Sequence, residues 1–210
     1  MEVVLYKRLA QRISNKFIQK NLIDESKKDI YIYGFEYIIS NIVYLTIFFA
    51  LCILTRTILS SLCFWLGIFL LRKIAGGHHA KSYLSCHFLF AFNHILFIFI
   101  QYIFPQQYYQ NFIVASLLIT VVSIFTCAPV DHKNKPFIKT EYHRYKILSH
   151  IYGVLLFVLW LLVVFQIVPS NRYVFAFTFG SISATVSLLC AKIIRTKERS
   201  LENENLKETL

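Results

Sequence analysis

One stretch of this sequence concentrates reactive side chains: Arg72-Lys73-Ile74-Ala75-Gly76-Gly77-His78-His79-Ala80-Lys81-Ser82-Tyr83-Leu84-Ser85-Cys86. Nowhere else do a thiol, imidazoles, paired glycines and cations come together. A thiolate is an effective nucleophile, and a nearby imidazole or cation lowers the thiol pKa. The grouping therefore suits Cys–His acyl chemistry, with Cys86 attacking and a histidine taking its proton. Two other readings stand beside it. One is a metal site drawing on His78, His79, Cys86 and His87; the other is a set of polar residues at a membrane interface with no chemistry. The metal reading lacks a ligand spacing such as H-E-x-x-H or paired C-x-x-C, and adjacent histidines rarely aim at one ion. No metal or cofactor is expected.

Geometry constrains the acyl-transfer reading. His79 and Cys86 are seven residues apart, so on one continuous helix they would share a face but stand about 10.5 Å apart along the axis. Direct proton transfer needs roughly 3 Å. Either the helix carrying Cys86 starts after His79 and the connection folds back over it, or the pair acts across two subunits. Gly76 and Gly77 favour the fold-back, because glycine permits positive φ and close backbone approach.

The elements that must position these residues are membrane helices. Of 210 residues, 57% are hydrophobic and 16% charged, and the mean hydropathy of +0.56 leaves too little polar surface to coat a soluble domain. Disorder, collagen and coiled coil are excluded on the same ground. Apolar runs that can cross a core of roughly 30 Å fall at Tyr37–Leu54, Thr57–Leu71, Leu84–Phe104, Phe112–Cys127, Ile151–Val168 and Tyr173–Ile194. The second is short, and spans only if Arg56 and Arg72 snorkel outward; otherwise it is re-entrant. The fold class expected is an all-α integral membrane protein of about six transmembrane helices. Pro105, Pro129 and Pro169 each follow an apolar run, where a missing N–H does least harm.

The net charge of +11 would suggest nucleic acid in a soluble chain, but here the first question is which connections hold the cations. Twenty of the 22 Lys and Arg residues lie before the first span, between the second and third, between the fourth and fifth, or at the end of the sixth. Only Arg56 and Arg172 fall in the other connections. That alternation follows the positive-inside rule and puts both termini, and the Cys86 region, in the cytosol. Nucleic acid is then not an expected partner; the lipid bilayer is. Thiols on that side stay reduced, so the five cysteines are not a disulfide framework. Cys52, Cys63, Cys127 and Cys190 lie in or at the ends of apolar runs and read as small hydrophobes.

Three segments follow: 1–35, a cytosolic amphipathic stretch; 36–195, a single polytopic membrane domain; and 196–210, a charged cytosolic tail. In the first, Leu5, Leu9, Ile13 and Phe17 recur every four residues beside Arg8, Arg12, Lys16 and Lys20, which suits a helix lying in the anionic interface. His94, in the third run, is eight residues beyond Cys86, too far along a helix to join it, and is expected to hydrogen-bond another helix.

The order Arg72-x-x-Ala75-Gly76-Gly77-x-His79-Ala80, with Cys86 seven after the histidine, resembles the signature of the accessory gene regulator B (AgrB) family. The resemblance extends over nearly the whole chain, including the basic amphipathic N-terminus and the Ala128-Pro129 and Lys135-Pro136 loop. It implies a cysteine endopeptidase of the bacterial cell membrane that removes the C-terminal part of a small, AgrD-like propeptide on the way to a cyclic quorum-sensing peptide. It further implies Cys86 as nucleophile, His79 as general base, Arg72, Gly76, Gly77 and His78 as supporting positions, an active site near the cytosolic face, and a homodimer. His78 fills the variable slot before the catalytic histidine, and spacing does not decide which imidazole faces Cys86. Lys133, Lys135 and Lys139 form a basic loop suited to an acidic propeptide tail, though topogenic charge alone is the simpler account of them. The rival function is a transporter or exporter without covalent chemistry, which should tolerate loss of Cys86.

Overall fold

The computed structural model describes residues 2–76, 83–130 and 138–208. Seven α-helices account for nearly all of them: α1 (Glu2–Gln19), α2 (Lys28–Leu54), α3 (Ile58–Ala75), α4 (Tyr83–Ile103), α5 (Tyr109–Cys127), α6 (Lys139–Val164) and α7 (Arg172–Glu208). No β-strand occurs among the described residues; a single isolated bridge pairs Gly76 with Val130. Five helices, α2, α3, α5, α6 and α7, are long and apolar enough to cross a membrane, and α4 is a shorter apolar helix over His87–Ile103. Large apolar side chains point outward along them, among them Ile38, Ile42, Ile53, Phe92, Phe99, Val154 and Leu155. Exposed apolar surface on this scale needs lipid around it. The chain is an all-α membrane protein.

Several boundaries depart from the hydropathy reading. The second apolar run is longer than it reads: α3 continues four residues past Leu71 and has 18 residues, about 27 Å and enough to cross. Arg72 and Lys73 do not end it because they occupy its last turn, where cations suit the negative end of the helix dipole. The Lys73 ammonium also lies 5.4 Å from the centre of the Phe69 ring. α2 begins at Lys28 rather than Tyr37, and α6 begins at Lys139 rather than Ile151. Both extensions carry charged residues that interrupt an apolar run but that helix propensity permits. α6 stops at Val164, before the expected Val168, with Gln166 in the left-handed conformation (φ 59°) that closes a helix. α7 carries its helix through the charged tail to Glu208.

Contacts divide the chain into two compact units, Met1–Arg56 with Ala80–Ile95, and Thr57–His79 with Leu96–Leu210. In the first, α1 packs on α2. Among the described side chains of α1, Ala10 and Ser14 are fully buried, both 0% exposed, while Leu9 and Phe17 of the apolar stripe stay open. Phe17 still reaches the Phe35 ring at 5.5 Å. α2 and α4 run parallel here, because Tyr44 meets His87 and Phe90 while Phe48 and Cys52, further along α2, meet His94.

In the second unit α3, α5, α6 and α7 pack together. Two glycines set the closest approach. A Cβ on Gly67 would collide with the Phe177 carbonyl, and one on Gly180 with the Phe64 carbonyl, so α3 and α7 cross backbone to backbone as small-residue membrane interfaces do. Phe175 fills the middle of an aromatic cluster, stacked on Tyr109 at 4.4 Å and Phe104 at 5.5 Å. Polar links join the helices: Thr185 Oγ1 lies 3.1 Å from Thr120 Oγ1, and Trp160 Nε1 donates to the Val114 carbonyl at 3.1 Å.

Candidate active site

The reactive stretch begins where α3 ends. Ala75 is the last helical residue, and Gly76 then adopts φ 82° and ψ −159°, a region of backbone space essentially closed to residues with a Cβ. This turn is held from outside the stretch. The Val130 N–H donates to the Ala75 carbonyl at 3.0 Å, and Gly76 pairs with Val130 in a parallel bridge. A Cβ on Gly76 would strike the Val130 carbonyl. Glycine is therefore required twice, for its backbone angle and for the space.

One residue before Ala75, the Ile74 carbonyl accepts from the Ser149 hydroxyl of α6 at 3.3 Å. The last carbonyls of a helix have no partner within it, and two of those of α3 are satisfied by Val130 and Ser149. The exit of α3 is thus clamped by the α5–α6 connection and by α6 itself. Spacing alone named Gly76 but neither of its supports. Val130 and Ser149 stand far along the chain from the turn they serve, and nothing local marks them.

Cys86 is the fourth residue of α4, at the end of the helix where main-chain N–H groups lack helical acceptors and negative charge is favoured. Further along α4, Phe90 and His94 face Tyr44, Phe48 and Cys52 of α2. His94 behaves as its spacing suggests: buried (2% exposed), stacked on Phe48 at 4.6 Å, and with Nε2 4.0 Å from the Cys52 thiol. Arg72 is half-buried in the last turn of α3. Lys139 opens α6. Gly77, His78, His79, Lys133 and Lys135 lie outside the described residues.

The family model for accessory gene regulator B matches residues 8–189. Similar curated proteins include a putative AgrB-like protein of Clostridium perfringens, 30% identical over 63% of this chain and 64% of its own length. The accessory gene regulator protein B of Staphylococcus epidermidis is 29% identical over 74% of this chain and 76% of its own. A putative AgrB-like protein of Listeria monocytogenes is 22% identical over 81% of each. The matched region thus spans just under two thirds of the Clostridium protein. No solved structure matches the chain.

Proposed function

Because the chain belongs to the accessory gene regulator B family, and with it has a role in the accessory gene regulator system, we propose that it is a membrane cysteine endopeptidase cutting the C-terminal part from a small propeptide. The observation that carries this reading is the motif Ala75-Gly76-Gly77-x-His79 with Cys86 seven further on. His79 takes the Cys86 proton, and the thiolate sulfur attacks the scissile carbonyl carbon. The C–N bond breaks, the leaving amine takes the proton from His79, and the N-terminal part of the propeptide remains as a thioester on Cys86. An internal propeptide cysteine then displaces Cys86 by thiol–thioester exchange, which is near-isoenergetic and closes a thiolactone. Making a thioester from an amide is uphill, so removal of the cleaved tail or of the ring draws the sequence forward. Water must be kept from the acyl-enzyme meanwhile, and a membrane-boundary site serves that end.

Both termini and the Cys86 region are assigned to the cytosolic side. The 20-to-2 distribution of cations supports this. So does the parallel run of α2 and α4, in which the Cys86 end of α4 lies toward the Lys28 end of α2. The test of the reading is to trap the intermediate. Membranes holding the protein are mixed with a synthetic propeptide that has an amphipathic N-terminal helix, an internal cysteine and an acidic tail. The expected product is an adduct on Cys86, of the mass of the propeptide's N-terminal part, that hydroxylamine removes. Release of the tail with no such adduct, even when the propeptide cysteine is replaced by alanine to block exchange, would falsify the thioester step.

Lys133, Lys135 and Lys139 are assigned to the acidic tail of the propeptide. Replacing all three by glutamine is expected to raise KM about tenfold at low salt and to flatten its salt dependence, since exposed charge pairs are screened by added ions. An unchanged KM would leave these lysines as topogenic charge alone.

A further inference from the structure

The residue after the nucleophile, like Ser14 of α1, keeps a buried polar atom without a partner among the described residues. His87 has its Nε2 atom shut off from solvent with no hydrogen-bond partner among the described residues. Its ring is nevertheless held firmly: it stacks on Tyr44 of α2 with centroids 5.3 Å apart and planes 12° from parallel. Tyr44 is braced in turn, edge-on to Phe90 at 5.6 Å and near Phe48 at 6.2 Å. Buried polar atoms in folded proteins nearly always find a partner, and one that does not calls for an explanation such as catalysis. An oriented ring with an unspent nitrogen, one residue from a nucleophile and so with Cα atoms about 3.8 Å apart, has the form of a preorganised hydrogen-bond donor.

Resting on the endopeptidase reading above, we propose that His87 is a catalytic residue whose Nε2–H donates to the scissile carbonyl oxygen as Cys86 attacks. In the attack, the new C–S bond takes its electron pair from the thiolate, and the carbonyl π pair moves to oxygen. The negative charge formed there is met by the His87 N–H. On collapse the C=O bond re-forms, the C–N bond breaks, and the leaving amine takes its proton from His79. His87 keeps its own proton throughout, in the tautomer protonated at Nε2. The nearby Tyr44 acts through His87 and is a positioning residue. The two imidazoles thus divide the labour, with His79 moving a proton and His87 only donating a hydrogen bond.

Three variants test this. His87→Phe keeps a ring for Tyr44 and removes the nitrogen. His87→Gln can return an N–H to the place of Nε2, and the shorter His87→Asn cannot. Cleavage of the synthetic propeptide is measured in membranes, together with the rate at which a small alkylating reagent labels Cys86. For His87→Phe the expected result is a fall in kcat of about a hundredfold, as for loss of one oxyanion donor, with KM changed by less than about threefold and the alkylation rate unchanged. Alkylation passes through no oxyanion, so it reports whether the thiol and its surroundings are intact. His87→Gln should regain about tenfold over His87→Phe, and His87→Asn should not. Wild-type kcat in His87→Phe overturns the proposal, as does a parallel loss of alkylation, which would make His87 an activator of the thiol. If His87→Phe fails to accumulate, the Gln–Asn pair decides: equal activities overturn it. Failure of the underlying reading looks different: wild-type membranes would then release no tail, or Cys86→Ala would release it as fast as wild type. An inactive Cys86→Ala beside a fully active His87→Phe rejects the His87 assignment alone.

Discussion

Cys86→Ala is expected to abolish release of the propeptide's C-terminal fragment, with a loss on the order of 10⁴-fold or more, since removing the nucleophile of a covalent mechanism leaves only binding and electrostatic stabilisation. The substitution deletes one sulfur atom from helix α4 and installs the best helix former. Folding and membrane insertion should therefore be unaffected, and the loss can be read as chemistry. Cys86→Ser sharpens the result. A hydroxyl is a far weaker nucleophile at neutral pH, and any acyl-enzyme would be an ester, which a propeptide thiol cannot displace at near-equal energy. The serine variant should give at most traces of tail release and no thiolactone. Cys190→Ala, at an exposed position on α7, is the control and should cleave at the wild-type rate. Retained cleavage in Cys86→Ala would end the endopeptidase reading and return the transporter to first place.

Gly76→Ala should be nearly as damaging although it touches no reacting atom. At φ 82° and ψ −159° a side-chain-bearing residue is strained by about 1–3 kcal/mol, and the new Cβ would run into the Val130 carbonyl. The backbone must move to relieve both. Movement here breaks the bridge to Val130 and shifts the start of the connection that leads to His79. A misplacement of about 1 Å in a catalytic group costs roughly a hundredfold in rate, so cleavage should fall by at least that factor while the protein still accumulates in membranes. Gly34→Ala is the matched control: it lies in α2, and an added Cβ there meets nothing within 4 Å. A Gly76→Ala variant with wild-type turnover would show that the α3 exit does not position the reactive stretch.

How much of the fold is legible in the sequence differs from element to element. The apolar runs locate α2 to α7 because hydrocarbon demands long uninterrupted apolar segments, yet they misjudge ends wherever a charged turn continues a helix. Lys28–Glu36, Arg72–Ala75 and Lys139–His150 are all helical and all carry charge that hydropathy reads as loop. The α1 stripe is legible as a pattern, but burial does not follow it at every position. Ala10 and Ser14 are small enough to let α1 close on α2, and the larger Leu9 and Phe17 are left outward. His94 reads from its position as a helix-to-helix contact, though its partners Phe48 and Cys52 cannot be named from one run alone.

By itself the sequence determined the medium and supplied the ground for the proposed chemistry: an apolar excess that only lipid can satisfy, cations gathered in alternate connections, and one stretch with a thiol and imidazoles at a specific spacing. These are properties of residue type and short-range order, and they need no fold to be read. Only tertiary structure decided what holds the exit of α3 and the ring of His87. Val130 and Ser149 anchor the last carbonyls of α3, and Tyr44 fixes the plane of His87, because packing brings together groups tens of residues apart that carry no mark of one another in the chain. The same packing turned Gly76 from a permissive residue into a required one, since the space its missing Cβ leaves is filled by a carbonyl from another connection.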